Sequence, residues 1–372
     1  MDTQVVVVGA GPVGSTLALL LRRAGTDVEL LEKARFPRDK PCGEAMLPTG
    51  AAVLGSAGVD LGELGFPRVR GTRFRVPGRG WLRGEMAGPA YGVRRLRLDA
   101  CLAELGRART DHAVTGARRD RGGWLLATSH GPVRAPLVVA CDGVHSPLRR
   151  WWGWERRRRP AGRYGLVGHL EVPHHGVREI VITLLGGRET YLAPAAEDEL
   201  LLAVLGERGV LRDPGRSVQA SYLAARDVAH PELASTPLLG GVHGAGPFEV
   251  SPLDVAGDGA YLCGDAAGFL DPLTGDGMSA GLLQAAHLAA LLAGRVERAE
   301  ERYRAYLRSQ WRQRRLVGAL ARRLSGSPRL AARALRGGAR RPLAIDRLLL
   351  ASSGPPGLTV LQPRDWLALA GW

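Results

Sequence analysis

The sequence predicts an α/β fold: a Rossmann-like nucleotide-binding domain, an antiparallel-sheet domain inserted into it, and a helical C-terminal region. Three observations predict it. A β-branched run passes straight into a glycine turn and an apolar helix within the first thirty residues. Short strand-like runs separated by turn residues fill 160–250. Arginine-rich helical spacing occupies the chain after Gly294.

Residues 3–8 read as a strand buried in a parallel sheet. Gly9-Ala10-Gly11-Pro12-Val13-Gly14 follows, then Leu17, Leu20, Leu21 and Ala24 at helical spacing, with Gly25 closing the helix. A second strand, 27–31, ends at Glu32. This is the strand–GxGxxG–helix–strand–acid pattern of a dinucleotide site. Gly9 permits the tight turn, Gly11 lets the backbone approach a pyrophosphate, and Gly14 lets the helix pack on the strand. The helix N-terminus offers N–H groups and partial positive charge to phosphates. Glu32 can accept hydrogen bonds from ribose hydroxyls and disfavours a 2′-phosphate, so NADP is not expected here. The pattern alone leaves FAD and NAD both open.

Two later motifs narrow the choice. Residues 138–146 read as a buried strand running into Asp142-Gly143-Val144-His145-Ser146, with Arg149 three residues on. Residues 261–269 carry Gly264-Asp265-Ala266, and 271–277 lead into an apolar helix over 278–292. With the GxGxxG turn and Glu32, the DGxxSxxR and GDA motifs stand in order across residues 1–294. In this the chain resembles the FAD-dependent superfamily of aromatic hydroxylases, geranylgeranyl reductases and tryptophan halogenases, the group A flavoprotein monooxygenase fold.

The resemblance implies FAD as cofactor. It places Gly9, Gly11, Pro12, Val13, Gly14, Glu32 and Lys33 at the adenosine and pyrophosphate end, with Val114, Asp142 and Gly143. It assigns Asp265, beside Gly264, to the ribityl chain, and Pro272, Gly275, Gly277 and Met278 to the isoalloxazine ring. Arg95, in an R-x-x-L-D segment, and Cys42-Gly43 complete the cofactor set. Cys42 has no histidine near it in sequence, so it is expected to be a packed or flavin-adjacent thiol rather than a nucleophile. Met46, Tyr191, Pro194 and Pro272 are expected to line the substrate pocket. No side chain is assigned as catalytic, because the flavin carries the chemistry.

The implied domains are 1–159 with 251–295 for FAD, with 36–98 contributing to the pocket; 160–250 for substrate; and 296–372 as the helical region. Strands are expected at 164–172, 178–185, 189–193 and 200–205. His169, His174 and His175 lack a third ligand at metal spacing, so no metal is expected, and surface histidines are the simpler reading. Trp151-Trp152-Gly153-Trp154 with the arginines 156–159 reads as a domain joint. Its second reading is a patch for a membrane surface or an anionic carrier protein. The apolar tail, with Trp366, Leu367, Leu369 and Trp372 after the Gly354-Pro355-Pro356-Gly357 break, is expected to form a lid or a wall near the substrate.

Composition bounds the rest. The net charge is +15, yet only Lys33 and Lys40 are lysines. A solvated basic surface is the expectation, and with aromatics at 5% no nucleic-acid platform is expected. Four cysteines without CxxC spacing argue against zinc, iron–sulfur or dithiol centres. No apolar run reaches the ~18 residues of a membrane span. No secretory signal precedes the first strand, and a cytoplasmic location is expected.

The leading functional expectation is an FAD-dependent monooxygenase. NAD(P)H would act as transient reductant, and O2 would form a flavin C4a-hydroperoxide that hydroxylates or epoxidises a hydrophobic aromatic or polyketide-like molecule. The alternative is a flavin-dependent reductase of isoprenoid double bonds. Gly268, where many hydroxylases have histidine, and the Cys42-Gly43 segment favour the reductase; the complete DGxxSxxR favours the hydroxylase. A halogenase fits less well, since neither lysine sits in a relay context and Trp152-Gly153-Trp154 lacks the Ile-Pro that should follow. A lipid-binding escort without enzymatic activity is the fourth reading.

Overall fold

The computed structural model describes residues 4–156, 162–211, 215–352, 354 and 357–370. Thr3, the arginines 157–159, Pro355, Pro356 and Trp372, all used above, lie outside them. The elements in chain order are β1 Val5–Val8, α1 Pro12–Arg23, β2 Val28–Leu31, β3 Ala45–Met46, α2 Pro48–Ser56, β4 Arg68–Val76, β5 Gly80–Gly92 and α3 Arg95–Leu105. Next come β6 Val114–Asp120, β7 Gly123–Thr128, β8 Val133–Ala135, β9 Leu137–Ala140 and α4 Pro147–Trp151. Then follow β10 Arg163–Glu171, β11 Glu179–Leu184, β12 Arg188–Pro194, β13 Glu199–Glu207, α5 Arg208–Leu211, α6 Val218–Ala229 and β14 Leu238–Ala245. The chain closes with β15 Ala256–Gly257, β16 Ala260–Leu262, α7 Gly277–Ala293, α8 Ala299–Ser325, α9 Pro328–Arg340, α10 Pro342–Ser352 and α11 Pro363–Leu369.

The first sheet has the order β15-β16-β9-β1-β2. β1 pairs in parallel with β2 and β9, and β9 in parallel with β16. Val5–Val8 is buried at every position, as a strand covered on both faces requires. This sheet brings the three motifs together, because the GxGxxG turn, the DG turn and the GDA turn all leave the same ends of adjacent parallel strands. Ligands of such sheets bind outside those ends.

The second sheet has eight strands in the order β14-β10-β13-β12-β11-β4-β5-β3. The four strands expected between 164 and 205 are present as β10 to β13 and pair antiparallel. The sheet also recruits β3, β4 and β5, with β11 and β4 in parallel register. The helix α6 has no counterpart in the expectation, although Tyr222, Ala225 and Ala229 stand at helical spacing and bury against the sheet. Ser217 caps it by accepting from the Ala220 N–H at 3.1 Å.

After α7, the 27-residue α8 buries Tyr303, Leu307 and Trp311 against the first domain's core. Ser325 ends it and Pro328 opens α9, where a proline fits the first turn of a helix. Trp152 packs on Trp124 and Trp154 on Trp152 against that core (centroids 5.4 and 5.1 Å), so of the tryptophan run only Trp151 is exposed.

Candidate active site

A single cavity runs from the GxGxxG turn to the inner face of the second sheet. The glycines at its head divide into two kinds. A Cβ on Gly9 (φ +103°) would lie 2.5 Å from the Cys141 carbonyl oxygen, and one on Gly14 would lie 1.9 Å from the Gly9 carbonyl oxygen. Both serve the packing of turn, strand and helix. A Cβ on Gly11 would meet nothing nearer than Arg38, at 3.8 Å. The Gly11 backbone therefore faces room that the protein leaves open. α1 starts there with no side-chain cap, so its first N–H groups are available to a ligand.

Glu32 closes the turn. Its Oε2 accepts from the Ala10 N–H at 2.9 Å and its Oε1 from the Ala34 N–H at 3.0 Å. Lys40 lines the cavity, close enough to Gly143 that a Cβ there would sit 3.3 Å from its ammonium. It is a cation at the phosphate end which sequence reasoning did not assign. Lys33 is exposed and Val114 packs against the first core, and neither lines the cavity.

The DGxxSxxR motif is a staple. Ser146 caps α4 by accepting from the Arg149 N–H at 3.0 Å. Arg149 is fully buried and donates to the Ala266 carbonyl at 3.1 Å and to the Val144 carbonyl at 2.9 Å. It thus ties the second motif to the third. Asp142, between the cavity-lining Cys141 and Gly143, has one buried carboxylate oxygen with no hydrogen-bond partner. Burial pushes its carboxyl above the usual range, against the pull of Ser146 and Leu148. Such an orphan needs a donor that the chain does not supply.

Further along, Asp265, Pro272, Gly275, Gly277 and Met278 line the wall where α7 begins. The Asp276 carboxylate does not cap α7. Arg314 holds it at 2.7 and 3.1 Å, and Thr274 donates to it at 2.5 Å. A second uncapped helix N-terminus therefore meets the same cavity. Open space at Gly11, two uncapped helix starts and the Asp142 orphan fit a long anionic dinucleotide.

The loop before β3 forms the next wall, with Lys40 through Ala45 and then Leu47. Arg95 is buried beside it, also lines the cavity, and pairs with Asp99 at 2.6 and 2.8 Å. Burial alone would lower its pKa, but Asp99 and the Cys42 thiol reverse the effect and hold it above its ordinary value. Glu44 lines the cavity and is 1% exposed. Its Oε1 accepts from the Arg95 N–H at 2.8 Å and from Arg94 at 3.2 Å, and its Oε2 lies 3.0 Å from Nε2 of His169. His169 was expected at the surface; it is buried against Glu44, on the same face of β10 as the cavity-lining Gly165 and Val167. His174 is exposed, as expected, while His175 is partly buried. Among the described residues no group of three His, Cys, Asp or Glu is placed to hold a metal.

Two substrate-pocket expectations need correction. Met46 turns away from the cavity into the cluster of Leu54, Leu98 and Leu102, because in this extended segment its neighbours Ala45 and Leu47 take the cavity face. Pro194 lies at the end of β12, with its carbonyl packed on Gly92, and does not reach the cavity. Tyr191 and Pro272 do line it, and the Tyr191 hydroxyl donates to the Leu273 carbonyl.

Most of the chamber beyond Tyr191 was not anticipated. Phe74, Val167, Ile180, Ile182, Leu184 and Leu205 form the sheet wall, Val317, Leu320, Ala321 and Leu324 of α8 face them, and Leu348 and Leu349 of α10 add a third side. The chamber is continuous with the groove that Gly11 and Gly277 line. The tail helix α11 is not part of it: Leu369 packs with Leu82 and Leu335, and Trp366 and Leu367 are exposed. Gly268 also has a structural reason. A Cβ there would fall 1.4 Å from the indole of Trp311, which occupies the place a larger residue would need.

Comparison with known proteins agrees with this geometry. A family model described as an FAD binding domain matches residues 2–65. The menaquinone reductase of Mycobacterium tuberculosis is 31% identical over 335 residues, covering 79% of this chain and 77% of that protein. Digeranylgeranylglycerophospholipid reductase 1 of Methanopyrus kandleri is 29% identical over 306 residues, covering 76% and 78%. The crystal structure of a flavoprotein/dehydrogenase from Cytophaga hutchinsonii superposes with a TM-score of 0.82 at 19% identity, covering 99% of this chain and 93% of that one.

Proposed function

The chain belongs to the FAD-dependent superfamily of aromatic hydroxylases and geranylgeranyl reductases, and within it we propose that it is a reductase that saturates carbon–carbon double bonds of a polyisoprenoid chain. It is a flavoprotein oxidoreductase with FAD as cofactor. The observation that carries the finer reading is the apolar chamber, continuous with the cofactor groove and walled by Phe74 of β4 and by aliphatic side chains from β10, β11, β13, α8 and α10. Aliphatic walls on three sides suit a prenyl chain, whereas a phenol needs polar groups to hold its hydroxyl. The DGxxSxxR motif no longer argues for the hydroxylase, because its serine and arginine are engaged in joining two turns. The reductases among the relatives support the same choice.

The protein's residues would act as follows. The α1 N-terminus and Lys40 hold the pyrophosphate, Glu32 the ribose, Asp265 the ribityl chain, and the α7 N-terminus the pyrimidine edge of the ring. When bound and reduced by NAD(P)H, FAD supplies a hydride equivalent. Saturation of a double bond also needs a proton, and the buried Glu44–His169 pair is the acid at the cavity wall. Nε2 of His169 and Oε2 of Glu44 would share a proton across 3.0 Å, with Glu44 facing the cavity, and the Arg95 N–H and Arg94 fix its carboxyl group. Val317, Leu320 and Leu324 exclude water from the chain being reduced.

The test is product mass from FAD-loaded protein and NAD(P)H, with and without air, on a geranylgeranyl lipid. The reductase reading expects a gain of two hydrogens under both conditions. Product that forms only in air and gains one oxygen would establish the monooxygenase instead.

A further inference from the structure

The positive charge of this chain is concentrated on its C-terminal helices, α8 to α11. Residues 299–370 hold fifteen arginines against four acidic residues, so most of the net +15 resides there. On α9, Arg329, Arg333, Arg336 and Arg340 recur at intervals of four, three and four, and all are exposed. That spacing sets them on one face of the helix. Among the described residues, no acidic side chain pairs with Arg329, Arg336 or Arg340.

The same unit displays apolar side chains. Leu343 at the start of α10 is 59% exposed, and Leu367 and Trp366 on α11 are 57% and 41% exposed. They are not spare core. The inner sides of α9, α10 and α11 already pack Ala331, Leu335, Ile345 and Leu369 against Val76 and Leu82. A Cβ on Gly338 would lie 2.4 Å from Leu82, so α9 is seated closely on β5. α10 belongs to both environments: Leu348 and Leu349 wall the chamber while Leu343 faces outward.

We propose that the outer face of α9–α11 docks on an anionic lipid surface, placing the α10 wall of the chamber at the bilayer that holds the substrate. The purpose of this docking rests on the isoprenoid reading; the surface itself rests on charge and exposure. Arginines that face outward without acidic partners complement anionic headgroups, and Leu343, Trp366 and Leu367 insert beneath them. A nucleic-acid backbone would use the arginines but not the leucines. A second copy of this chain would bring two arginine stripes together, which charge disfavours.

The test is co-sedimentation of the FAD-loaded chain with phosphatidylcholine vesicles and with vesicles carrying phosphatidylglycerol. Binding is expected to the second alone and to weaken with salt. Each neutralised arginine removes about 1 kcal/mol near such a surface, so the Arg329→Gln, Arg336→Gln, Arg340→Gln variant should lose roughly a hundredfold in affinity. Its turnover of a short prenyl substrate in detergent should be unchanged, which also shows that it folds. Leu343→Ser with Leu367→Ser should weaken binding independently of salt. Equal binding to both vesicle types, or wild-type binding by the arginine variant, overturns the proposal. So does a dimer that Leu367→Glu converts to a monomer. Vesicle binding without any double-bond reduction would remove the reductase reading and leave the surface standing; reduction in detergent without vesicle binding would do the reverse.

Discussion

Single residues decide whether the cofactor cradle is a fold feature or a ligand feature, and the two central glycines separate these roles. Gly14→Ala drives a methyl group into the Gly9 carbonyl. Overpacking there should cost at least about 2 kcal/mol, read as a lower unfolding temperature of the FAD-free protein. Gly11→Ala meets only the Arg38 guanidinium, at an ordinary contact distance of 3.8 Å, and has an ordinary φ of −71°. It should leave FAD-free stability within about 0.5 kcal/mol, as for an unstrained surface change, yet weaken FAD retention at least tenfold by flavin titration. This pair was legible in the sequence because the turn is local: six consecutive residues fix it. The Glu44–His169 contact was not, because its partners are 125 residues apart and meet only when the second sheet packs on the loop. Its signal was the alternation of Gly165, Val167 and His169 on one strand face. His169→Phe and Glu44→Gln should each lower kcat by about a hundredfold, the low end for general acid catalysis, and flatten its pH profile while FAD stays bound. Loss of FAD in both variants would make the pair structural instead.

At the scale of elements, the carboxylate of Asp365 fastens α11 to its neighbours. Burial opposes its ionisation. Hydrogen bonds from Arg341 at 2.5 Å, the Gln362 N–H at 2.8 Å and Arg347 at 2.8 Å overcome this and push its pKa down to about 2. The unfolded carboxyl titrates near 4. The stabilisation is therefore complete above that value and is lost as the pH falls toward 2. Hydrogen exchange of α11 should rise over that interval, and Asp365→Asn should remove the dependence. The end of α1 at Gly25 was legible because caps and breakers act within a turn. α6 was missed because its small residues, Ala220, Ala224 and Ala225, give a weak apolar stripe that only the sheet completes. Gly268 was noticed as a departure from the hydroxylase pattern, but its cause, the Trp311 indole, lies on a helix 43 residues further along the chain.

On the scale of the whole molecule, the chamber arises where two sheets and the C-terminal helices meet. The parallel sheet was predictable because its three motifs each announce a strand end. The extent of the second sheet was not, since β4 joins β11 in parallel across more than a hundred residues. Tyr191 was found from its local context, whereas Val317, Leu324 and Leu348 required the long helices to fold back. A bulky residue in that space should set a length limit. Ala321→Trp is expected to raise KM for a twenty-carbon prenyl chain at least tenfold and to leave a five-carbon one unchanged, because only the longer chain extends beside α8.

The central claim is that an isoprenoid double bond takes electrons directly from the bound flavin. Its most direct test is to reduce the FAD-loaded protein without oxygen, add a polyprenyl substrate, and follow flavin absorbance. The account predicts that the oxidised spectrum returns on adding the substrate alone, with one double bond saturated per flavin. A flavin that stays bleached until air is admitted would contradict it.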